Sequence, residues 1–243
     1  MNIIKLSATP STNLFLKELA VTQKLENFTI VQTDNQFNGK GQQGSVWQSE
    51  SGKNLTFSLL INAIDPVKIN LIMLSVIVPL SIIQAMSKFN VPELKIKWPN
   101  DILAENKKIA GILIETSFKS TNQISAIIGI GLNVNQLVFD NLPNASSLAL
   151  LTGKTIDCDS LLIAIANQIK NNYNLLTVKN DAYFWNLYHN YLFQKDILSV
   201  FKDKEGNRFW GTITKVNSNG KLVVKLDSGI EKTFSTKEIT YCY

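Results

Sequence analysis

The sequence predicts an α+β chain: a mixed, largely antiparallel sheet with helices packed on it, followed by a small β-barrel. Three observations predict it. Up to residue 193, strand-like and helix-like segments alternate without the regular βαβ repeat that a doubly wound parallel sheet requires. After Asp196 the texture changes to five short β segments separated by turn signals. A length of 243 residues with 45% apolar content suffices for one sizeable core and a small appended domain.

Residues 11–20 place Phe15, Leu16, Leu19 and Ala20 at helical spacing, with Ser11 or Thr12 as the cap. Residues 29–33 (TIVQT) read as a strand. The loop over 34–52 carries Gly39, Gly41, Gly44 and Gly52, and a second strand covers 54–61. Between Lys68 and Lys88 an apolar run approaches membrane-spanning length. It contains Asn70, Ser75, Pro79, Ser81 and Gln84 and lies among strand-like segments, which predicts a buried helix and no membrane. A short strand over 94–98 stops at Pro99, which cannot continue a central ladder. Segments 107–115 and 125–131 are β-rich and predicted to pair. Segments 161–176 and 183–193 are helical, the second closing a first domain over 1–193. Turn signals at 204–207, 217–220 and 227–229 then divide the strands of a second domain over 194–243.

The net charge of +5 and pI of 9.1 would suit an anionic partner, but the excess is scattered with no run of five or more like charges, and no DNA partner is expected. Two distant cysteines, Cys158 and Cys242, and a single histidine, His189, argue against a zinc site or disulfide framework and fit a reducing cytoplasm. Residues 1–10 contain no signal peptide.

Three constellations carry chemistry. Gly39 to Gly44 spells GxGxxG, yet the residues beyond it are β-rich, whereas a dinucleotide-binding turn must open directly into a helix. The loop physics remains: glycines let backbone N–H groups converge on an anion beside Lys40, and Trp47 offers a flat face to a base. No Walker A sequence is present. Next, Lys97-Trp98-Pro99-Asn100-Asp101 groups a cation, an amide and a carboxylate at a broken strand end, where a plain turn is the competing reading. Finally, Lys107-Lys108 opens an apolar strand. One of the two lysines can reach into a pocket along its own stem and offer a point charge to a phosphoryl group. Asn133, in GIGLNVN, adds an amide suited to phosphate or ribose.

Taken together, Ser11-Thr12-Asn13, Gln36, GKGQQGSVWQSESGKNL, KWPND, KKIAGILIE and GIGLNVN resemble the catalytic domain of biotin protein ligases over roughly residues 8–150. The resemblance implies a class II synthetase-like (biotin/lipoate ligase) catalytic domain followed by an SH3-like barrel. It also implies activation of biotin by ATP and Mg²⁺ to biotinyl-AMP, then transfer to a lysine of a biotin carboxyl carrier protein. By the same resemblance Ser11, Thr12, Asn13, Gln36, Gly39, Lys40, Gly41, Gln42, Lys108 and Gly111 surround biotin. Lys40, Trp47, Lys97, Asn100, Asp101 and Asn133 serve ATP, Asp101 is the magnesium ligand, and Lys108 is the catalytic lysine. Such chemistry needs no enzyme nucleophile, only positioning and charge stabilisation. The family loop often carries arginines where this chain has Lys40 and Gln42, which predicts weaker retention of the adenylate. Ten residues precede Ser11, so the DNA-binding winged helix of some members is not expected. A lipoate or octanoate ligase and a non-catalytic binding module are the competing functions. A homodimer through a sheet edge is left open.

Overall fold

The computed structural model describes residues 1–120, 123–140 and 142–242. β1 (Ile3–Thr9) leads to α1 (Thr12–Thr22), which Ser11 caps by accepting the Leu14 N–H. β2 (Ile30–Gln36) is followed by β3 (Gly39–Lys40) and β4 (Val46–Trp47), which pair only with each other. β5 (Leu55–Ile64) precedes α2 (Leu74–Met86), and β6 (Lys95–Lys97), β7 (Asp101–Ala104), β8 (Lys107–Ser120) and β9 (Gln123–Leu132) come next. Three helices follow, α3 (Leu148–Thr152), α4 (Cys158–Leu175) and α5 (Asp181–Tyr191). β10 (Leu198–Asp203), β11 (Arg208–Val216), β12 (Leu222–Leu226), β13 (Glu231–Phe234) and β14 (Ile239–Tyr241) finish the chain.

Seven strands form one sheet in the order β1-β2-β5-β9-β8-β7-β6. β1 runs parallel to β2, and the remaining neighbours are antiparallel, so the sheet is mixed and largely antiparallel as expected. The β-rich segments at 107–115 and 125–131 are neighbouring strands, while the turn that joins them falls outside the described residues. The last five strands form a separate antiparallel sheet, β13-β12-β11-β10-β14.

The large sheet has two different faces. On one, α2 and α4 cover the main core, in which Phe57, Leu59, Ile61, Ile77 and Ile165 are fully buried. The stretch from Leu71 to Phe89 is long and apolar enough to cross a membrane by length and composition, and it lies packed in this core. Its interrupting polar residues are satisfied there: Asn172 of α4 donates to Ser81 Oγ at 2.9 Å and to Gln84 Oε1 at 2.8 Å. On the other face α1 covers only one corner, with Leu16 against Val31, Leu60 and Ile127. The rest of that face stays open beyond the N-terminus of α1.

Four strands depart from the sequence reading. β3 and β4 pair inside what reads as a loop over 34–52. β1 was not anticipated; its outer residues alternate too weakly to stand out, and a parallel edge partner leaves no local turn signal. Asp101 begins β7 rather than sitting in a turn: it pairs directly with Lys97 of β6, so the turn is confined to residues 98–100.

Candidate active site

The open face is built from rows of residues in register across the strands. One row runs Thr33, Thr56, Gly131, Gly111 and Asp101; the next runs Val31, Ser58, Gly129 and Leu113. Gly111 and Gly131 leave a shelf, and Trp47 lies on it. A Cβ at Gly131 would come within 2.3 Å of Trp47 Cε2, and one at Gly111 within 3.2 Å of Cζ3. Trp47 is placed there by the β3–β4 hairpin, in which it pairs with Gly39. Its indole N–H is buried and has no hydrogen-bond partner.

The other end of the cleft is polar. Gln36 Oε1 accepts the Thr12 N–H at 2.9 Å, and Asn13 donates to Glu115 Oε2 at 2.7 Å. Ser58, fully buried, lies 2.7 Å from Thr12 Oγ1 and 2.5 Å from Asn13 Oδ1. Sequence reasoning missed Ser58 and Glu115. The available signal was a lone serine inside the apolar strand 54–61, a polar group that must find buried partners.

Lys108 lies between the two ends. Alternation along β8 would place Lys108 on the face opposite Gly111, but a register shift between Ile102 and Leu103 on the partner strand inserts an extra residue and re-aims it. The Lys108 stem then lies 3.6 Å from the Cβ position of Gly111, and its Nζ is 2.6 Å from Asp101 Oδ1 and 5.8 Å from the Trp47 ring centre. Lys107 turns away and donates to Pro143 O at 2.5 Å. Asn100 fixes the turn ahead of β7, donating to Ile112 O at 2.8 Å and accepting the Ile112 N–H at 3.0 Å through its own carbonyl.

The cleft spans about 500 Å³, open solvent at its mouth included. Its lining brings together Ser11, Thr12, Asn13, Gln36, Lys40, Gly41, Gln42, Trp47, Asn100, Lys108 and Gly111, with Gly39 buried behind Gln36. Three expected residues stand elsewhere. Lys97 extends toward the C-terminal sheet, its Nζ 5.3 Å from the Tyr241 ring. Asn133 is buried and donates to Ser146 O at 3.0 Å, tying down the segment before α3. Asp101 lies behind Lys108, 19% exposed, as its ion-pair partner. The glycine loop is also corrected in one respect: the Gly41 N–H bonds Ser45 O at 2.7 Å, so it closes the hairpin and does not point at an anion. What Gly39 supplies is closeness, since a Cβ there would sit 2.5 Å from Trp47 O. No helix follows the loop, which excludes a dinucleotide-binding turn.

Among the described residues no group of three His, Cys, Asp or Glu is placed to hold a metal. Asp101 is a single carboxylate near the cleft. That sparse donor set fits Mg²⁺, which keeps most of its waters and takes one or two carboxylates plus substrate phosphates.

A polar end, a central lysine and an aromatic plate share one cleft, an arrangement suited to a ligase that holds an acid and a nucleotide side by side. The sequence model of the Biotin/lipoate A/B protein ligase family matches residues 6–135, over half of the chain. The chain belongs to that family. It is 29% identical over 230 residues to the bifunctional ligase/repressor BirA of Bacillus spizizenii, covering 93% of this chain and 70% of that protein. It is 30% identical over 143 residues to the Biotin--[acetyl-CoA-carboxylase] ligase of Mycobacterium tuberculosis, covering 58% of this chain and 52% of the relative. The solved biotin protein ligase from Aquifex aeolicus in complex with biotin and ATP matches with a TM-score of 0.80 at 25% identity, over 98% of this chain and 97% of that one.

Proposed function

We propose that the chain is a biotin protein ligase that joins biotin to ATP and passes the biotinyl group to a lysine of a biotin carboxyl carrier protein. The observation that carries this reading is the convergence of Thr12, Gln36, Lys108 and Trp47, from four separate segments, on one cleft. Gln36 and Thr12 meet the ureido ring, and Trp47 on its glycine shelf meets the adenine. Lys108 lies between them, where the reacting groups would meet. In the first step a biotin carboxylate oxygen attacks the α-phosphorus, the bond to the bridging oxygen breaks and pyrophosphate leaves. In the second, a carrier lysine amine attacks the acyl carbon of biotinyl-AMP, and AMP leaves as the amine loses its proton. The Lys108 ammonium stabilises the negative charge that gathers on the phosphoryl oxygens, and Asp101 holds that ammonium in place. Mg²⁺ would neutralise phosphate charge, and Asp101, whose Oδ1 is engaged by Lys108, would offer it Oδ2. Lys40 and Gln42 cover the cleft from the hairpin.

We further place the division between the catalytic unit and an SH3-like unit at residues 193 and 194, and the protein in the cytoplasm, consistent with two free cysteines. The test mixes the protein with ATP, magnesium and either biotin or lipoate, and follows pyrophosphate release and acylation of a carrier domain. Biotin-dependent turnover is expected. Turnover with lipoate alone would make the chain a lipoate ligase, and none with either acid would leave a binding module.

A further inference from the structure

Ser58 does not line the cleft, yet it touches two residues that do. Directly across from it in the sheet is Gly129, and a Cβ at that position would come within 2.4 Å of Asn13 Oδ1. The missing side chain is what lets the Asn13 amide drop onto the sheet beside Ser58.

The hydrogen-bond directions in this group are determined one after another. Glu115 is a carboxylate and can only accept, so the Asn13 group 2.7 Å from it is the NH₂. Asn13 therefore presents its carbonyl oxygen to Ser58, 2.5 Å away, and the single Ser58 hydroxyl hydrogen goes to it. The 2.7 Å contact between Ser58 and Thr12 must then use the Thr12 hydrogen. Gln36 Oε1 accepts the Thr12 N–H at 2.9 Å and lies 3.2 Å from Thr12 Oγ1, a second and longer acceptor for the same hydroxyl hydrogen, so the shorter contact to Ser58 takes it. The outcome is a chain running Thr12 to Ser58 to Asn13 to Glu115, with Thr12, Ser58 and Asn13 buried and the charge at its far end setting every direction.

We propose that Ser58 is a positioning residue that fixes the Thr12 hydroxyl as a hydrogen-bond acceptor toward the cleft, so that the site selects a head group offering an N–H at that point. This rests on the reading of the cleft as a biotin site and adds the origin of its selectivity. A head group with a ring oxygen in place of that N–H would face Thr12 lone pair to lone pair. With Ser58 gone, only the longer contact to Gln36 Oε1 is left to hold the Thr12 hydrogen back from the cleft.

The test measures calorimetric affinities for biotin and for the two cyclic carbamates in which one or the other ureido N–H is replaced by oxygen. Wild type is expected to reject at least one carbamate by about 100-fold, the cost of a buried polar group left without a partner. In Ser58→Ala that ratio is expected to fall to about tenfold or less. Glu115→Gln, at an exposed position where folding is not at stake, is expected to lower it too, because a Gln amide can donate and allow the chain to reverse. Wild-type binding of biotin with a ratio unchanged in both variants would overturn the relay and leave the biotin reading standing. Failure of the wild-type protein to bind biotin would overturn the biotin reading and the relay with it.

Discussion

Lys107 and Lys108 are neighbours in sequence with opposite surroundings, one bonded to Pro143 O and the other over Gly111. If Lys108 stabilises charge that develops mainly in the transition state, its loss lowers the rate more than it weakens binding. Lys108→Ala is expected to slow biotinyl-AMP formation by about 100-fold or more, the scale of losing one preorganised donor, while biotin affinity changes far less. Pyrophosphate release at saturating substrate, set beside a biotin titration, measures both; near wild-type adenylation would remove Lys108 from the mechanism. Gln42 lines the cleft without a charge. Gln42→Arg is therefore expected to slow dissociation of trapped biotinyl-AMP, and an unchanged off-rate would show that the hairpin holds the adenylate without it. At this scale the sequence was readable where residue type alone sets the role. Residue type pointed to Trp47, whereas Thr12 and Gln36 stood out only through the family resemblance; residue type also left open which lysine faces inward, since that depends on a register shift with no residue signature, and only the resemblance singled out Lys108. Lys97 and Asn133 lie outside the cleft lining for a similar reason: their motif positions are clear, but their side chains turn to Tyr241, far along the chain, and to Ser146 O in the segment before α3.

The glycines of β8 and β9 act as a surface, and their effect is testable as one. Gly131→Ala would push a methyl into the Trp47 indole, where only 2.3 Å is available. Moving the plate off its shelf is expected to raise the KM for ATP by about 10-fold or more, in line with the roughly 1–3 kcal/mol of a base stacked on an aromatic ring. Biotin affinity, set at the other end of the cleft, should change less, and equal losses for both ligands would argue against separate ends. In the sequence these glycines look like interruptions in apolar strands. Their meaning emerges only when cross-strand register sets Gly111 beside Gly131. The buried helix was easier to read, because Ser81 and Gln84 in an apolar run demand polar partners, which Asn172 supplies. β7 was hidden because its four residues begin inside a motif that reads as a turn.

The C-terminal sheet is tied to the strand that feeds the cleft. Trp98 donates from its indole to Gly220 O at 2.9 Å, the Phe193 N–H bonds Ile96 O at 2.9 Å, and the Asp196 N–H bonds Ile213 O at 2.9 Å. His189 of α5 closes the same junction, its Nε2 2.9 Å from Val216 O and accepting the Val216 N–H at 3.1 Å. The change of texture after Asp196 made the second sheet legible, but not this seam, whose partners lie far apart in sequence. Burial holds the His189 pKa below 6.5, with Lys195 and Lys215 nearby acting in the same direction and the Val216 carbonyl opposing them. The unfolded chain thus takes up this proton at higher pH than the folded one. The stability it contributes is complete above about pH 6.5 and is lost as pH falls through the lower folded value. Asp203 and Glu238, whose pKa values are also lowered, titrate below 3.8 and 4.5, so their losses come at lower pH. Thermal melts between pH 7.5 and 5.5 are expected to show a fall in Tm that His189→Gln largely abolishes; an equal fall in both proteins would place the sensitive group elsewhere. Protonation puts a hydrogen on Nε2, which exchanges acceptance of the Val216 N–H for donation to Val216 O and so rearranges the seam beside Trp98. Because Trp98 precedes Asn100 and Asp101, the KM for ATP is expected to rise over the same pH range, and more steeply than the KM for biotin, whose polar end rests on α1 and β5.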